Sequence, residues 1–187
     1  RLLRQKDSLA VGDRAEAEVL GGGQYRLTRV LPRTSALRRP SRRGSGDALL
    51  AANADFVLAV CAAPALLRAF TLPEWALEAA RAAGLPAGLF VSHWDRLAPE
   101  EGEALARRLE PLRAELDGLA WGSALEPPAG LLPALRGKAV AVLGGPGCGK
   151  TALIQRLAGV QAPLRPTTAA SLSQGPDGTL WLDTPAF

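Results

Sequence analysis

The chain has 187 residues, 48% of them hydrophobic and 21% charged, with two cysteines and a formal net charge of +4. Two cysteines support no disulfide or zinc framework, and the length leaves room for one medium domain beside a small one. There is no uninterrupted apolar run of the roughly 18 residues a membrane span needs, the start (Arg1-Leu2-Leu3-Arg4-Gln5-Lys6) is not a signal peptide, and Cys61 and Cys148 lack metal-site spacing, so a soluble, cytoplasmic protein with no membrane partner is expected.

Charge is unevenly spread. Residues 1–46 carry eleven Lys/Arg and four Asp/Glu, a balance of +7; residues 47–187 carry eleven and fourteen, a balance of −3. The chain therefore reads as two modules, 1–46 and 47–187. In the first, residues 16–20 and 24–30 flank Gly21-Gly22-Gly23 and predict a hairpin of a small β-barrel. Seven arginines (Arg26, Arg29, Arg33, Arg38, Arg39, Arg42 and Arg43) and no acid lie between Gln24 and Arg43. Guanidinium groups at this density suit a phosphate backbone, where each contact releases counterions; they also suit a solvated linker. Residues 32–46 are rich in Pro, Ser, Arg and Gly, have no hydrophobic period, and predict a linker.

The second module alternates strands and helices. Residues 55–61 predict a short buried strand that includes Cys61, and Thr71-Leu72-Pro73-Glu74 reads as a capping box opening a helix to about Ala83. A strand over 87–91 follows, then Ser92-His93-Trp94-Asp95, then a helix with Leu105, Leu109, Leu112 and Leu116 on one face and Pro111 expected to divide it. Another short apolar stretch precedes Gly122-Ser123-Ala124-Leu125, and a short helix is expected over 131–135. Trp75, Trp94, Trp121 and Trp181 are expected as packing residues. The pattern predicts an α/β domain with an open, mostly parallel sheet and ligands at the carboxyl ends of its strands.

The most specific motif comes late. Gly144-Gly145-Pro146-Gly147-Cys148-Gly149-Lys150-Thr151 fits the P-loop pattern G-x-x-x-x-G-K-(S/T), between a strand candidate over 138–143 and a helix candidate over 151–157. Glycines let backbone N–H groups turn inward around phosphates, and the helix N-terminus, with Ala152 in its first turn, adds its dipole. Lys150 would reach the β- and γ-phosphates, and the Thr151 hydroxyl would ligate Mg²⁺. Cys148 reads as a small residue at a variable loop position. A closing hairpin over 169–174 and 179–182 ends in Asp183, a carboxylate placed to hold Mg²⁺ through water, and Thr167 and Thr168 stand where a switch threonine would complete the metal shell.

Asp95 supplies the carboxylate that guanine N1–H and N2–H₂ need, with Ser92 and His93 ahead of it, and Ser123-Ala124 fits a loop contacting guanine O6. Both stand before the P-loop, while Thr168 and Asp183 follow it. That is the motif order of a circularly permuted GTPase.

Together with Val11-Gly12-Asp13-Arg14, Val30-Leu31-Pro32-Arg33-Thr34-Ser35, Ala51-Ala52-Asn53-Ala54-Asp55 and the terminal Asp183-Thr184-Pro185-Ala186-Phe187, these residues resemble the RsgA/YjeQ family of circularly permuted GTPases. The resemblance implies a partial OB-fold contacting 16S rRNA, a GTP/GDP site with Mg²⁺, hydrolysis stimulated by the small ribosomal subunit, a role in the late assembly of that subunit, and a monomer. It also implies a zinc-binding domain after Phe187 and further barrel strands before Arg1, so both ends of a longer protein are expected to be missing. The chain departs from the family where Ser92 and His93 replace Asn and Lys, where Ala186 replaces the glycine of D-x-x-G, and where Pro166 replaces a histidine; residues 159–165 form a shorter switch. The expectation is nucleotide binding with relaxed guanine preference and slow hydrolysis, the alternative being an RNA-associated nucleotide-binding scaffold without turnover.

Overall fold

Short apolar runs bounded by glycine or proline become strands, and the residues between them become helices that cover the sheet. The computed structural model describes residues 9–39, 47–70, 73–127, 130, 132–160 and 170–185. Its elements are β1 (Ala15–Gly21), β2 (Gln24–Val30), β3 (Ala36–Arg39), β4 (Ala48–Ala52), β5 (Phe56–Ala62), α1 (Ala63–Arg68), α2 (Glu74–Ala82), β6 (Ala87–Ser92), α3 (Pro99–Leu109), β7 (Gly118–Trp121), α4 (Leu132–Leu135), β8 (Ala139–Gly144), α5 (Lys150–Ala158), β9 (Ser171–Gln174) and β10 (Leu180–Asp183).

The six-stranded sheet runs in the order β7-β6-β5-β8-β10-β9. All its pairs are parallel except β10 with the edge strand β9. Side chains alternate between two cores, as the two-residue period of a strand requires. Val57, Ala59, Leu89, Val91, Ala141, Leu143 and Leu182 face α1, α2 and α3. Phe56, Leu58, Val60, Phe90, Val140, Val142 and Trp181 face α4 and α5. Burial on both faces explains why these strands read as continuous apolar runs instead of alternating ones. At Pro111 α3 gives way to a 3₁₀ turn, Glu110–Ala114, which keeps Leu112 and Leu116 on the core. Thr71 and Leu72, half of the expected capping box, lie outside the described residues; the helix begins at Glu74 after Pro73.

The stretch expected as a linker is not one throughout. Residues 36–39 form β3, which pairs antiparallel with β4, so this pairing spans the expected module boundary at 46. Leu37 is fully buried and joins the core under α2. One apolar side chain among arginines gives no period to detect, and its partner strand begins only at Ala48.

A polar junction ties this piece to the sheet. Asn53, in the left-handed region at φ 53°, accepts from Thr34 N at 2.8 Å and donates to Gly12 O at 2.9 Å. Ser35 Oγ donates to Ala54 O at 2.7 Å. Gly12 lies so close to the Ala52 carbonyl that a Cβ would overlap it, and its φ of +89° independently demands glycine. The resemblance to a known family at Val11-Gly12-Asp13, Thr34-Ser35 and Asn53 is thus a resemblance at the positions that build this junction. By contrast β1 and β2 form a separate two-stranded sheet, exposed along almost all its length.

If β3 is part of the core, Leu37→Ala should lower unfolding free energy by about 2–5 kcal/mol, the usual cost of emptying a fully buried leucine site. Urea denaturation followed by tryptophan fluorescence measures it; a loss under about 0.5 kcal/mol would return residues 36–39 to linker status.

Candidate functional site

Parallel pairing brings the carboxyl ends of β5, β6, β7, β8 and β10 to one edge. The register matches Val60 with Gly144, Ala62 with Ser92, Val91 with Trp121 and Val142 with Asp183. Hence the Ser92–Asp95 segment, Ser123-Ala124, the phosphate loop and Asp183 share one rim of the sheet, although they are scattered over the sequence.

The phosphate loop leaves β8 at Gly144 and enters α5 at Lys150. A Cβ on Gly144 would overlap the Val60 carbonyl and come within 2.8 Å of Cys148 Sγ, so only glycine permits β8 to end this close to β5. Gly147 and Gly149 have φ of 69° and 87°. The α5 hydrogen-bond ladder begins with Leu153 N donating to Gly149 O at 2.9 Å, and the helix's own first turn holds no acidic residue to offset its positive end, which faces the loop. Lys150 is 5% exposed and donates through Nζ to Gly144 O at 2.9 Å, which stretches it along the concave side of the loop. Cys148 is buried, and burial pushes its thiol up against the opposing pull of the Lys150 charge; Cys61 is pushed up to about 12, also mainly by burial. Both behave as packing residues, not nucleophiles.

Thr151 Oγ1 and Asp183 Oδ2 lie 3.4 Å apart, with Asp183 almost fully buried. A hydroxyl and a carboxylate at that separation suit one small oxygen-seeking cation that keeps waters in its remaining positions, so the donor set fits Mg²⁺. Among the described residues no group of three or more His, Cys, Asp or Glu could hold a metal. Thr184 does not join it; its Oγ1 donates to Val142 O at 2.9 Å and anchors the end of β10. Thr168, expected as a third ligand, lies outside the described residues, as do Thr167, Pro166 and Ala186.

On the base side, Asp95 is exposed at the rim, within the 3₁₀ turn Trp94–Arg96. Trp94 stacks on Trp121 with centroids 5.2 Å apart, bracing this turn against the end of β7. Ser123 makes a local turn, its Oγ accepting from Leu125 N at 3.3 Å. Ala124 is buried under the phosphate loop, where a Cβ on Gly149 would sit 3.3 Å from Ala124 Cβ. Ser92 and His93, expected among the nucleotide-binding residues, bond to the phosphate loop. Ser92 Oγ is 2.6 Å from Cys148 O and 3.2 Å from Cys61 O, and His93 Nε2 is 3.1 Å from Gly147 O. The backbone carbonyls of Val60, Cys61, Gly147 and Cys148 thus shape the site, and a sequence carries no signal for such contacts.

The arginines are less available than their density implied. Arg33 forms a two-pronged pair with Asp13, Nε to Oδ1 at 2.7 Å and Nη2 to Oδ2 at 2.8 Å, with the Asp13 side chain 4% exposed. That pair makes Arg33 a structural residue of the junction. Arg26 and Arg29 face Glu18 and Glu16 across the hairpin at 3.4 and 3.8 Å. Such exposed pairs are worth about 0–1 kcal/mol and exchange readily for other anions. Arg38 is exposed on β3, Arg39 sits on the same strand, and Arg42 and Arg43 lie outside the described residues.

The Arg33 guanidinium holds the Asp13 carboxyl below its usual range, chiefly by hydrogen bonding. A lowered carboxylate contributes stability in full above the ordinary value of about 4 and loses it as pH falls through the lowered one. Arg33→Ala should cost about 1.5–3 kcal/mol at neutral pH and flatten the acid limb of stability below about pH 4, measured by denaturant unfolding across pH.

No protein-family model matches the chain, and no curated protein matches it in sequence. Solved structures do match it in fold. YjeQ from Thermotoga maritima superposes with a TM-score of 0.63 at 22% identity, covering 98% of this chain and 63% of that one. YloQ, a circularly permuted GTPase, superposes with a TM-score of 0.59 at 21% identity, covering 99% and 60%. The chain therefore has the fold of a circularly permuted GTPase and spans less than two thirds of the length of either protein. Among the described residues no helix is long and apolar enough to cross a membrane.

Proposed function

We propose that this chain binds a guanine nucleotide with Mg²⁺ and hydrolyses GTP, and that it acts with the small ribosomal subunit during its late assembly. The observation that supports the chemical part most directly is convergence: Asp95, Ser123-Ala124, the phosphate loop and Asp183 occupy one rim although they come in permuted order along the chain. The fold shared with YjeQ and with YloQ, a circularly permuted GTPase, supports it from outside the chain.

In this reading the loop amides and the N-terminus of α5 bind the phosphates, and Lys150 leaves the Gly144 carbonyl to meet the β- and γ-oxygens. Thr151 and Asp183 hold Mg²⁺, which when bound offsets charge on the phosphate oxygens. The Asp95 carboxylate takes the guanine edge, an arrangement adenine cannot satisfy. Positioning and fixed charge carry such a reaction, and an assembling partner is the natural source of whatever further ordering turnover requires. The basic balance of residues 1–46 supports a phosphate-rich partner, through Arg26, Arg29, Arg38, Arg39, Arg42 and Arg43 and without Arg33. A zinc-binding domain beyond Phe187 stays part of the proposal.

Single-turnover GTP hydrolysis with and without purified small subunits tests this function. Stimulation by the subunit is expected; tight binding with no turnover in either condition would assign a nucleotide-binding scaffold. Lys150→Ala should weaken GDP binding by at least about a hundredfold while leaving the thermal unfolding midpoint of the nucleotide-free chain within a few degrees. Asp95→Ala should lower the GDP-to-ADP affinity ratio, read by calorimetry; an unchanged ratio would remove Asp95 from the base site.

A further inference from the structure

A strand at the edge of a sheet offers unpaired N–H and C=O groups to any other chain, and folds guard such edges with charge, bulges, proline or cover. The described edges here are guarded one by one, with β9 the exception. β1 and β2 carry Glu16, Glu18, Arg26 and Arg29, and their pairing is interrupted by register shifts at Glu16/Ala17 and Val19/Gly21. β3 carries Arg38 and Arg39, and β4 is covered on its far side, where Ala52 N donates to Val11 O at 2.9 Å. At one end of the six-stranded sheet Arg113 guards β7: held by Glu110 at 2.8 and 3.2 Å, it donates to Leu119 O at 3.5 Å. At the other end β9 is Ser171-Leu172-Ser173-Gln174, with no charge, no proline and an unbroken register, and among the described residues no strand lies beyond it.

Hydrogen bonds at the turn after β9 fix which way its backbone faces. Gly175 N donates to Thr179 O at 2.8 Å, so Gly175 faces the β10 side of the hairpin. Leu180 N donates to Lys138 O at 2.9 Å, just ahead of β8, so Leu180, the partner of Gln174, faces away from β9. Antiparallel pairs alternate between bonded and non-bonded, so Ser171 and Ser173 bond to β10, and the N–H and C=O groups of Leu172 and Gln174 point outward, about 6.8 Å apart along the strand. Leu172 is 55% exposed and stands opposite Leu182, so it carries the apolar layer on the α2 side out to the edge of the sheet. Ser171 pairs with Asp183, so this edge runs up to the rim.

We propose that β9 is a docking edge for an extended polypeptide segment of a partner protein, which pairs with it main chain to main chain and sets an uncharged, apolar residue beside Leu172. Donors and acceptors in this alternation match another extended backbone, and a nucleic-acid strand has no such alternation. A second copy of this chain fits less well: the four residues of β9 fall far short of the roughly 20–30 a side that a stable interface between folded partners engages. A flexible segment needs only its own few residues to pair. The proposal does not depend on nucleotide binding.

The test uses the whole chain and a synthetic acetylated peptide of alternating valine and threonine, with a lysine outside the pairing segment for solubility. Its control is the same peptide with the pairing residues changed to proline. In the free chain, amide exchange should be fast at Leu172 and Gln174 and slow at Ser171 and Ser173. Saturating peptide should slow Leu172 and Gln174 by about tenfold or more, and the proline peptide should leave them unchanged. Leu172→Lys puts a charge on the exposed edge and Gln174→Pro removes one outward donor; each should weaken peptide binding by about tenfold or more, and Leu172→Lys carries the comparison alone if Gln174→Pro does not fold. Slow exchange at Leu172 and Gln174 in the free chain would overturn the proposal, because the edge would then be covered by the chain itself or by a second copy, which dependence on protein concentration tells apart. No protection at about 1 mM peptide, or equal protection by the proline peptide, would overturn it as well.

Discussion

Everything at the rim depends on how closely β8 can end beside β5. Gly144 abuts the Val60 carbonyl with no space for a Cβ, and that approach sets where the phosphate loop begins and where α5 points. The two strands are neighbours in a parallel sheet, so their carboxyl ends coincide without any device beyond the register itself. Parallel sheets are buried on both faces, and here two apolar layers hold that register from opposite sides.

A constraint of this kind is indifferent to chain order. Which strand carries the carboxylate for a base and which carries the phosphate loop matters to the rim, whereas their sequence does not. Loops at strand ends accept new connections when the ends they join lie near one another, so the same site can be assembled from a rearranged chain. In this protein β6 and β7 come before β8, while β10 follows it, and the sheet still seats all four with their ends together.

The sequence disclosed the parts of this design that repeat a local pattern. The phosphate loop was legible because its glycines, Lys150 and Thr151 stand at fixed spacing between an apolar run and a helix, and β5, β6 and β8 were legible as apolar runs with punctuation. What stayed hidden was pairwise and nonlocal. Leu37 looked like an isolated leucine among arginines because its partners, Leu50 and Ala51 on β4 and the face of α2, come more than ten residues later in the chain. The six-residue α1 was too short to show a period. Arg26, Arg29 and Arg33 looked like a field of positive charge because Glu18, Glu16 and Asp13 stand opposite them in space and ahead of them in the chain. The destinations of Ser92 and His93 were hidden for a further reason: both end on backbone carbonyls.

That last point alters what the substitutions at the rim mean. A motif read as a string assigns each position to the ligand, so Ser and His in place of Asn and Lys look like a damaged base site. In space, Ser92 fastens the Cys148 carbonyl with a hydroxyl, and His93 fastens the Gly147 carbonyl with a ring nitrogen. Side chains that differ in charge and length can do the same work when the work is to hold one carbonyl, since any donor of suitable reach will serve. In the proposed nucleotide reading, a carboxylate that takes two N–H groups on a base edge has no such latitude, and on this segment that requirement falls on Asp95.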